Sequence, residues 1–176
     1  QACVAQTRIL ASRSRYDEVV EALTEAVAAQ VVGDPMDPAT QVGPLVADRQ
    51  RDRVLGLIDK GKNEGARVTT GGGRPAFDTG FFVDPTVFAD VTNDMTIARE
   101  EIFGPVLSVI AYDGVDDAVA IANDSPYGLS GSVWGADGAA AADIARRMDT
   151  GTVTINHFGM AFGAPFGGYK DSGLGR

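Results

Sequence analysis

The chain is poor in the residues that build disulfides and metal sites, with one cysteine, Cys3, and one histidine, His157, among 176 residues. A single cysteine cannot form an internal disulfide. One cysteine and one histidine also cannot supply the three or four ligands of a zinc site at recognisable spacing. The composition therefore predicts a free thiol in a reducing compartment, and we expect a cytoplasmic protein without a bound metal.

Positive charge and long apolar runs are scarce as well. There are 15 Lys and Arg residues against 24 Asp and Glu residues, which gives a net charge of −9. An acidic surface repels phosphate backbones, so we expect no nucleic acid partner. No apolar run approaches the roughly 20 residues that span a bilayer. Gln1 opens neither a basic nor an apolar leader, so we expect neither a membrane span nor a signal peptide.

The second half of the chain alternates strand and helix patterns. Nearly continuous apolar segments at Val106–Tyr112, Leu129–Trp134 and Thr152–Asn156 are separated by helical patterns at Asp116–Asn123 and Gly138–Met148, and Asp137 is expected to cap the second helix. Strands with so little polar alternation are usually buried on both faces. The pattern predicts one α/β domain over residues 1–176, with a mostly parallel open sheet and helices on both faces.

The first half is less regular. It contains a strand candidate at Thr7–Ala11, a helix that Ser14 is expected to cap, and a second helix at Asp48–Glu64. An extended segment at Phe81–Val91 contains Pro85. Because proline lacks a backbone donor, this segment is predicted to be an edge strand.

Cys3 is the first residue that could carry chemistry. A lone cysteine is often a small buried hydrophobe, and no ionisable side chain near Cys3 in sequence would activate its thiol. It lies, however, in the segment QACVAQTR, residues Gln1–Arg8. This context makes a nucleophilic role the alternative to a packing role.

Two further segments of the chain help to interpret the segment that contains Cys3. They are EEIFGPVL at Glu100–Leu107 and PFGGYK at Pro165–Lys170. Taken alone, Glu101 and Phe103 would be a surface acid and a core aromatic before a strand. Together with the Cys3 segment, and in this order, the motifs resemble those of the aldehyde dehydrogenase family, and the resemblance covers essentially the whole chain.

The resemblance implies a catalytic-domain fold and an oxidation of aldehydes to carboxylic acids with NAD or NADP. It implies that Cys3 is the thiolate that attacks the aldehyde, with Ala2 and Val4 beside it in the substrate pocket. Sulfur suits this covalent chemistry because it is intrinsically nucleophilic. The backbone N–H of Cys3 would be one donor to the oxyanion.

The family resemblance also assigns the cofactor contacts. Glu101 would accept hydrogen bonds from the nicotinamide ribose hydroxyls, because a carboxylate can accept from two adjacent hydroxyls. Phe103 would lie beside the nicotinamide ring. Gly104 would permit a close backbone approach, and Pro105 would stiffen the entry into the strand. Asn156 is implied to hold the loops of the active site rather than to act in the chemistry.

The loop HFGMAFGAPF at His157–Phe166 carries no acidic residue, lysine or arginine. Its aromatic and methionine side chains form either a hydrophobic plug or, as the family implies, the wall of the aldehyde tunnel. The composition favours an apolar or aromatic aldehyde as the substrate. The pocket residues predicted here are Phe158, Met160, Phe162 and Phe166.

The resemblance covers only about the last third of a family member. A domain that would bind most of the cofactor has no counterpart in this sequence, so we expect the chain alone to be inactive. The parent protein is expected to be a homo-oligomer, either a dimer or a tetramer, and exposed apolar surface should promote self-association of this chain.

Two other functions remain open. A dehydrogenase-like module without catalysis could serve as an interaction or oligomerisation domain. A Cys3–His157 pair could act as a thiol hydrolase, since the two residues need not be close in sequence to be close in space.

Overall fold

The computed structural model describes residues 1–160 and 163–175, and the chain divides into two compact units. The first unit comprises Gln1 and Thr7–Ala111, and the second comprises Ala2–Gln6 and Tyr112–Arg176. The predicted single catalytic domain over residues 1–176 stays a prediction. The elements in chain order are β1 (Arg8–Ser12), α1 (Tyr16–Ala28), α2 (Asp48–Asn63), β2 (Arg67–Thr70), β3 (Thr86–Ala89), α3 (Thr96–Arg99), β4 (Val106–Tyr112), α4 (Val115–Asn123), β5 (Tyr127–Gly128), β6 (Ser130–Val133), α5 (Gly138–Ala145), β7 (Thr152–Ile155) and β8 (Tyr169–Lys170).

The first unit contains a four-stranded sheet in the order β1-β4-β3-β2. β3 and β4 are parallel, and β2 pairs antiparallel with β3 at the edge. The side chains of Val87 and Val109 are fully buried in a cluster that the apolar face of α1 covers. α1 contributes Val20 and Leu23, three residues apart, which is the spacing that places side chains on one helix face.

Two local predictions for this unit are wrong. Ser14 does not cap α1, because it lies inside a 3-10 turn at Arg13–Arg15 and the helix begins at Tyr16. The strand after Pro85 is not at an edge, because β3 lies between β4 and β2 and all four of its residues are buried. Pro85 immediately precedes the first residue of β3, so its missing N–H removes no hydrogen bond from the β-sheet.

The second unit is built on the parallel pair β6 and β7. Their register runs from Ser130 opposite Thr152 to Val133 opposite Ile155. α5 connects the two strands, and Asp137 caps it as predicted, since its Oδ1 accepts hydrogen bonds from the N–H groups of Ala139 (2.9 Å) and Ala140 (3.1 Å).

A second, very short pair in this unit joins β5 and β8 antiparallel. Neither of these two-residue strands was predicted from the sequence. Gly151 lies near β8, and a Cβ atom there would be 1.7 Å from the carbonyl oxygen of Gly167, so only glycine fits. The α/β class is confirmed, with parallel pairing at β3/β4 and β6/β7. No helix among residues 1–160 and 163–175 is both long and apolar enough to cross a membrane.

Two glycines in α2 provide a matched test of the packing in the first unit. A Cβ at Gly61 would be 2.8 Å from Cγ2 of buried Ile97 and 3.2 Å from Cζ of Phe88, whereas a Cβ at Gly56 would meet nothing within 4 Å. Replacing either glycine with alanine gains about 1 kcal/mol in helix propensity. Overpacking typically costs about 1–3 kcal/mol, so we expect Gly61→Ala to be less stable than Gly56→Ala by that amount in urea unfolding. Equal stabilities would contradict the close approach.

Candidate active site

Cys3 lies at an exposed turn in the second unit. The N–H of Ala5 donates to the carbonyl oxygen of Ala2 at 3.0 Å, which places Cys3 and Val4 at the two central positions of the turn. Ala2 and Cys3 are exposed, and Val4 is half-buried. The thiol is therefore accessible to a substrate, and the alternative of a buried hydrophobe does not apply to Cys3.

The residue that follows this turn is tied to strand β6. The side-chain Nε2 of Gln6 donates to Ser130 Oγ at 2.9 Å, and Ser132 Oγ donates to Gln6 Oε1 at 2.6 Å. The indole N–H of Trp134 donates to Ser132 Oγ at 2.9 Å. Sequence reasoning missed Gln6, since nothing in its neighbourhood along the chain signals a partner more than 120 residues away.

Asn156 ends strand β7 in a left-handed conformation with φ 56°. Its Oδ1 accepts from the N–H of Gly135 and its Nδ2 donates to the carbonyl oxygen of Gly135, both at 2.8 Å. Its own N–H donates to the carbonyl oxygen of Val133 at 3.0 Å. Asparagine tolerates this backbone conformation better than most residues do. The side chain thus clamps the turn after β6 to the end of β7, which accords with a structural role.

The predicted pocket residues that follow β7 are largely exposed. Phe158 is 60% exposed, Met160 46% and Phe166 49%, while Phe162 lies outside the described residues. A cavity of about 510 Å³ runs along β7, and of the described pocket residues only Met160 lines it. This loop therefore presents apolar surface to its surroundings.

His157 begins the same loop and is also exposed. Its Nδ1 donates to the carbonyl oxygen of Ile155 at 2.9 Å, and its own carbonyl oxygen accepts from Thr154 Oγ1 at 2.6 Å. Within the described part of the chain, no hydrogen bond joins His157 to Cys3. The imidazole is a satisfied polar group on the strand it follows.

The predicted cofactor segment lies in the first unit. Glu101 and Phe103 are exposed, whereas Ile102 between them is only 6% exposed. Phe103 has φ 58°, a left-handed conformation that is rare for a bulky side chain. The segment therefore presents a carboxylate and an aromatic ring on its exposed side while Ile102 anchors it.

Helix α2 positions this segment. Arg53 Nη1 donates to the carbonyl oxygen of Ile102 at 3.2 Å, and Arg53 Nη2 lies 3.7 Å from a carboxylate oxygen of Glu100. Gly104 approaches α2 closely, because a Cβ there would be 2.6 Å from Cγ2 of the fully buried Val54. Gly104 is thus required by packing against the helix. Arg53 was not predicted as a site residue, because its contact with Ile102 joins segments 49 residues apart.

Pro105 joins the segment to the sheet, since its carbonyl oxygen accepts from the N–H of Thr86 at 2.8 Å. The site residues that the sequence predicted thus fall in both units. Cys3, Asn156 and the loop after β7 belong to the second, and the segment 101–105 belongs to the first. Nowhere in residues 1–160 and 163–175 do three or more His, Cys, Asp or Glu side chains group to hold a metal ion.

Comparisons with known proteins agree over the full length of the chain. The model of the aldehyde dehydrogenase family matches residues 1–176. A geranial dehydrogenase of Castellaniella defragrans is 58% identical over 176 residues, which is 100% of this chain and 37% of the relative. A betaine aldehyde dehydrogenase of Brucella anthropi is 47% identical over 180 residues, again 100% of this chain and 37% of the relative.

Solved structures are equally similar. An aldehyde dehydrogenase of Mycobacterium tuberculosis in complex with NAD+ matches with a TM-score of 0.98 and 60% identity, over 100% of this chain and 37% of that one. A mutant aldehyde dehydrogenase C of Pseudomonas syringae, in complex with NAD+ and octanal, matches with a TM-score of 0.97 and 46% identity over the same shares. The chain thus spans 37% of the length of these proteins.

Two variants of Asn156 separate the effect of its left-handed backbone conformation from the effect of its side-chain hydrogen bonds. Asn156→Ala loses both side-chain bonds and forces alanine into a left-handed conformation, which costs about 1–2 kcal/mol. Asn156→Gly loses the same bonds, each contributing about 0.5–1.5 kcal/mol, without that backbone penalty. We expect both variants to have a lower free energy of unfolding in urea than the wild type. The value for Asn156→Ala should be lower than that for Asn156→Gly by about 1–2 kcal/mol. A glycine variant as stable as the wild type would contradict the clamp.

Proposed function

This chain belongs to the aldehyde dehydrogenase family, as its motifs predicted, and we propose that it supplies the nucleophile and part of the cofactor site of an NAD(P)-dependent aldehyde dehydrogenase. The observation that carries the proposal is the accessible Cys3 thiol, held at a turn inside a chain that matches the family from residue 1 to residue 176. An exposed thiol can reach a substrate carbonyl without rearrangement of the turn.

In this proposal the thiolate of Cys3 attacks the carbonyl carbon of the aldehyde and forms a carbon–sulfur bond. The carbonyl oxygen becomes an oxyanion, and the backbone N–H of Cys3 donates to it. NAD or NADP, when bound, would supply the acceptor for the hydride that leaves this carbon, and loss of that hydride would leave a thioester on Cys3. Water then cleaves the thioester at Cys3, which releases the carboxylic acid and frees the thiol.

The exposed groups of the first unit fit such a cofactor. The Glu101 carboxylate can accept hydrogen bonds from two neighbouring ribose hydroxyls. Phe103, which is 36% exposed beside it in sequence, offers an aromatic surface to a planar ring. Arg53 and Val54 of α2 would fix the backbone that carries these two groups. Similar proteins in complex with NAD+ support this assignment but leave the choice between NAD and NADP open.

The substrate in this proposal is an apolar or aromatic aldehyde. In the full-length enzyme, Ala2, Val4, Phe158, Met160 and Phe166 would line its apolar pocket, and the segment from Phe158 to Phe166 carries no charged residue. Relatives named for geranial, or solved with octanal, act on or bind aldehydes with hydrocarbon chains. A relative named for betaine aldehyde, which carries a cation, is less similar, at 47% against 58% identity.

The remainder of the catalytic machinery is proposed to come from sequence beyond these 176 residues, since the relatives are much longer than the part matched here. We therefore expect the isolated 176-residue chain to form no NAD(P)H from any aldehyde. The full-length enzyme is proposed to be a homo-oligomer, a dimer or a tetramer. Detectable NAD(P)H formation by the isolated chain would show that the cofactor site is complete without further sequence.

The role of Cys3 is tested in the full-length enzyme with two variants. We expect Cys3→Ala to reduce NADH formation from octanal to background, because alanine has no nucleophile to attack the aldehyde. His157→Ala should leave the kcat for this reaction unchanged. The opposite pattern, in which NAD-independent ester cleavage depends on His157, would favour a thiol hydrolase instead.

Substrate class is tested with the same enzyme. A cationic headgroup loses its hydration in an apolar pocket, whereas a hydrocarbon chain gains by leaving water. We expect kcat/KM for octanal to exceed that for betaine aldehyde by about a hundredfold or more. Equal or greater kcat/KM for betaine aldehyde would contradict the apolar pocket.

A further inference from the structure

We propose that Gln6 is the positioning residue of the nucleophile, and that its side-chain amide fixes the Cys3 turn to strand β6. The structural part of this inference stands on the hydrogen bonds of Gln6. Its catalytic consequence rests on the proposed function of Cys3. Gln6 is three residues from Cys3 and touches no reacting atom, so it acts through the backbone of the turn.

The turn needs such a support. Ala2, Cys3 and Ala5 are exposed, and the bond from the Ala5 N–H to the Ala2 carbonyl closes the turn at 3.0 Å. A single backbone hydrogen bond in contact with water contributes little net free energy. A nucleophile, in contrast, must be held close to its attack geometry, because small displacements greatly reduce the rate.

The amide of Gln6 meets two hydroxyl groups on one face of a paired strand. Ser130 and Ser132 are two residues apart in β6, and alternate residues of a strand project to the same side. Gln6 Nε2 donates to the first at 2.9 Å, and Gln6 Oε1 accepts from the second at 2.6 Å. The nitrogen and the oxygen of the Gln6 amide are thus both hydrogen-bonded to strand β6.

The bond from Trp134 is compatible with the direction of these bonds. An indole N–H can only donate, so Ser132 Oγ must accept from it at 2.9 Å. The hydroxyl proton of Ser132 is then available for the carbonyl oxygen of Gln6. This leaves the NH2 group of Gln6 to face Ser130. In this arrangement each donor of the chain Trp134, Ser132 and Gln6 has an acceptor.

Strand β6 is itself anchored. Ser130 and Ser132 are opposite Thr152 and Thr154 in the parallel register with β7. The same pair of strands ends at the Asn156 clamp on Gly135. Gln6 therefore connects the exposed turn to the most extensively paired element of the second unit.

The first test uses the 176-residue chain and needs no enzymatic activity. Amide hydrogen exchange at Ala5 measures how often the turn opens. We expect Gln6→Leu to accelerate this exchange by about threefold or more, because leucine keeps the bulk but loses both bonds. The control is Gln30→Leu, which makes the same change at an exposed glutamine whose amide donates to the Ala26 carbonyl oxygen at 3.1 Å. The control should leave Ala5 exchange unchanged.

The second test uses the full-length enzyme. Gln6→Leu should lower kcat on the order of tenfold to a hundredfold while KM for NAD stays constant. Gln6→Glu can accept from both serine hydroxyls, so Ala5 exchange should return to the wild-type rate. With the turn held again, the kcat of Gln6→Glu should recover towards the wild-type value. A glutamine with a purely structural role would lower the yield of folded enzyme without lowering kcat at constant KM.

A double-mutant cycle identifies the path of the effect. Ser130→Ala and Ser132→Ala together should lower kcat as Gln6→Leu does, and adding them to Gln6→Leu should cause no further loss. If Gln6→Leu does not fold, this serine pair replaces it in both tests. Unchanged Ala5 exchange and unchanged kcat in these variants would overturn the inference. If the wild-type enzyme oxidises no aldehyde, the proposed function fails, while Ala5 exchange still decides whether Gln6 holds the turn.

Discussion

The parallel pairing of β6 with β7 is the interaction on which the candidate site of the second unit depends. Four residue pairs, from Ser130 opposite Thr152 to Val133 opposite Ile155, set the register. Because the register is fixed, Gly135 lies where the Asn156 side chain can bind both its N–H and its carbonyl oxygen. The serines of β6 hold Gln6, and Gln6 follows the turn of Cys3. A slip of one residue would turn these serines to the other face and leave the turn without support.

The proposed cofactor segment of the first unit is positioned differently, by packing against a helix. Helix α2, which takes no part in the proposed chemistry, contacts the backbone that carries the exposed Glu101 and Phe103 side chains. Gly104 allows the backbone to approach Val54 more closely than any side chain would permit. The left-handed Phe103 before it is a strained residue in a segment assigned to binding, where such strain is commonly found. Packing therefore determines where the carboxylate and the ring are presented.

The sequence predicted most of the helices and strands, the Asp137 cap and the family, because these depend on local pattern and on contiguous motifs. Position in the sheet was not predictable in the same way. Pro85 suggested an edge strand, but strand order is set by pairing between distant segments. Gln6 and Arg53 were missed for the same reason, since each acts on a segment 49 or more residues away. The short β8 was missed because two residues carry no detectable period.

The central claim is that the Cys3 sulfur carries the acyl group of the substrate during turnover. The most direct measurement is peptide mass spectrometry of the full-length enzyme, quenched with acid while it oxidises octanal in the presence of NAD+. An octanoyl group on the peptide that contains Cys3, present only when aldehyde and NAD+ are both supplied, is the predicted result. Production of NADH with an unmodified Cys3, and with the acyl group on another residue, would contradict the account.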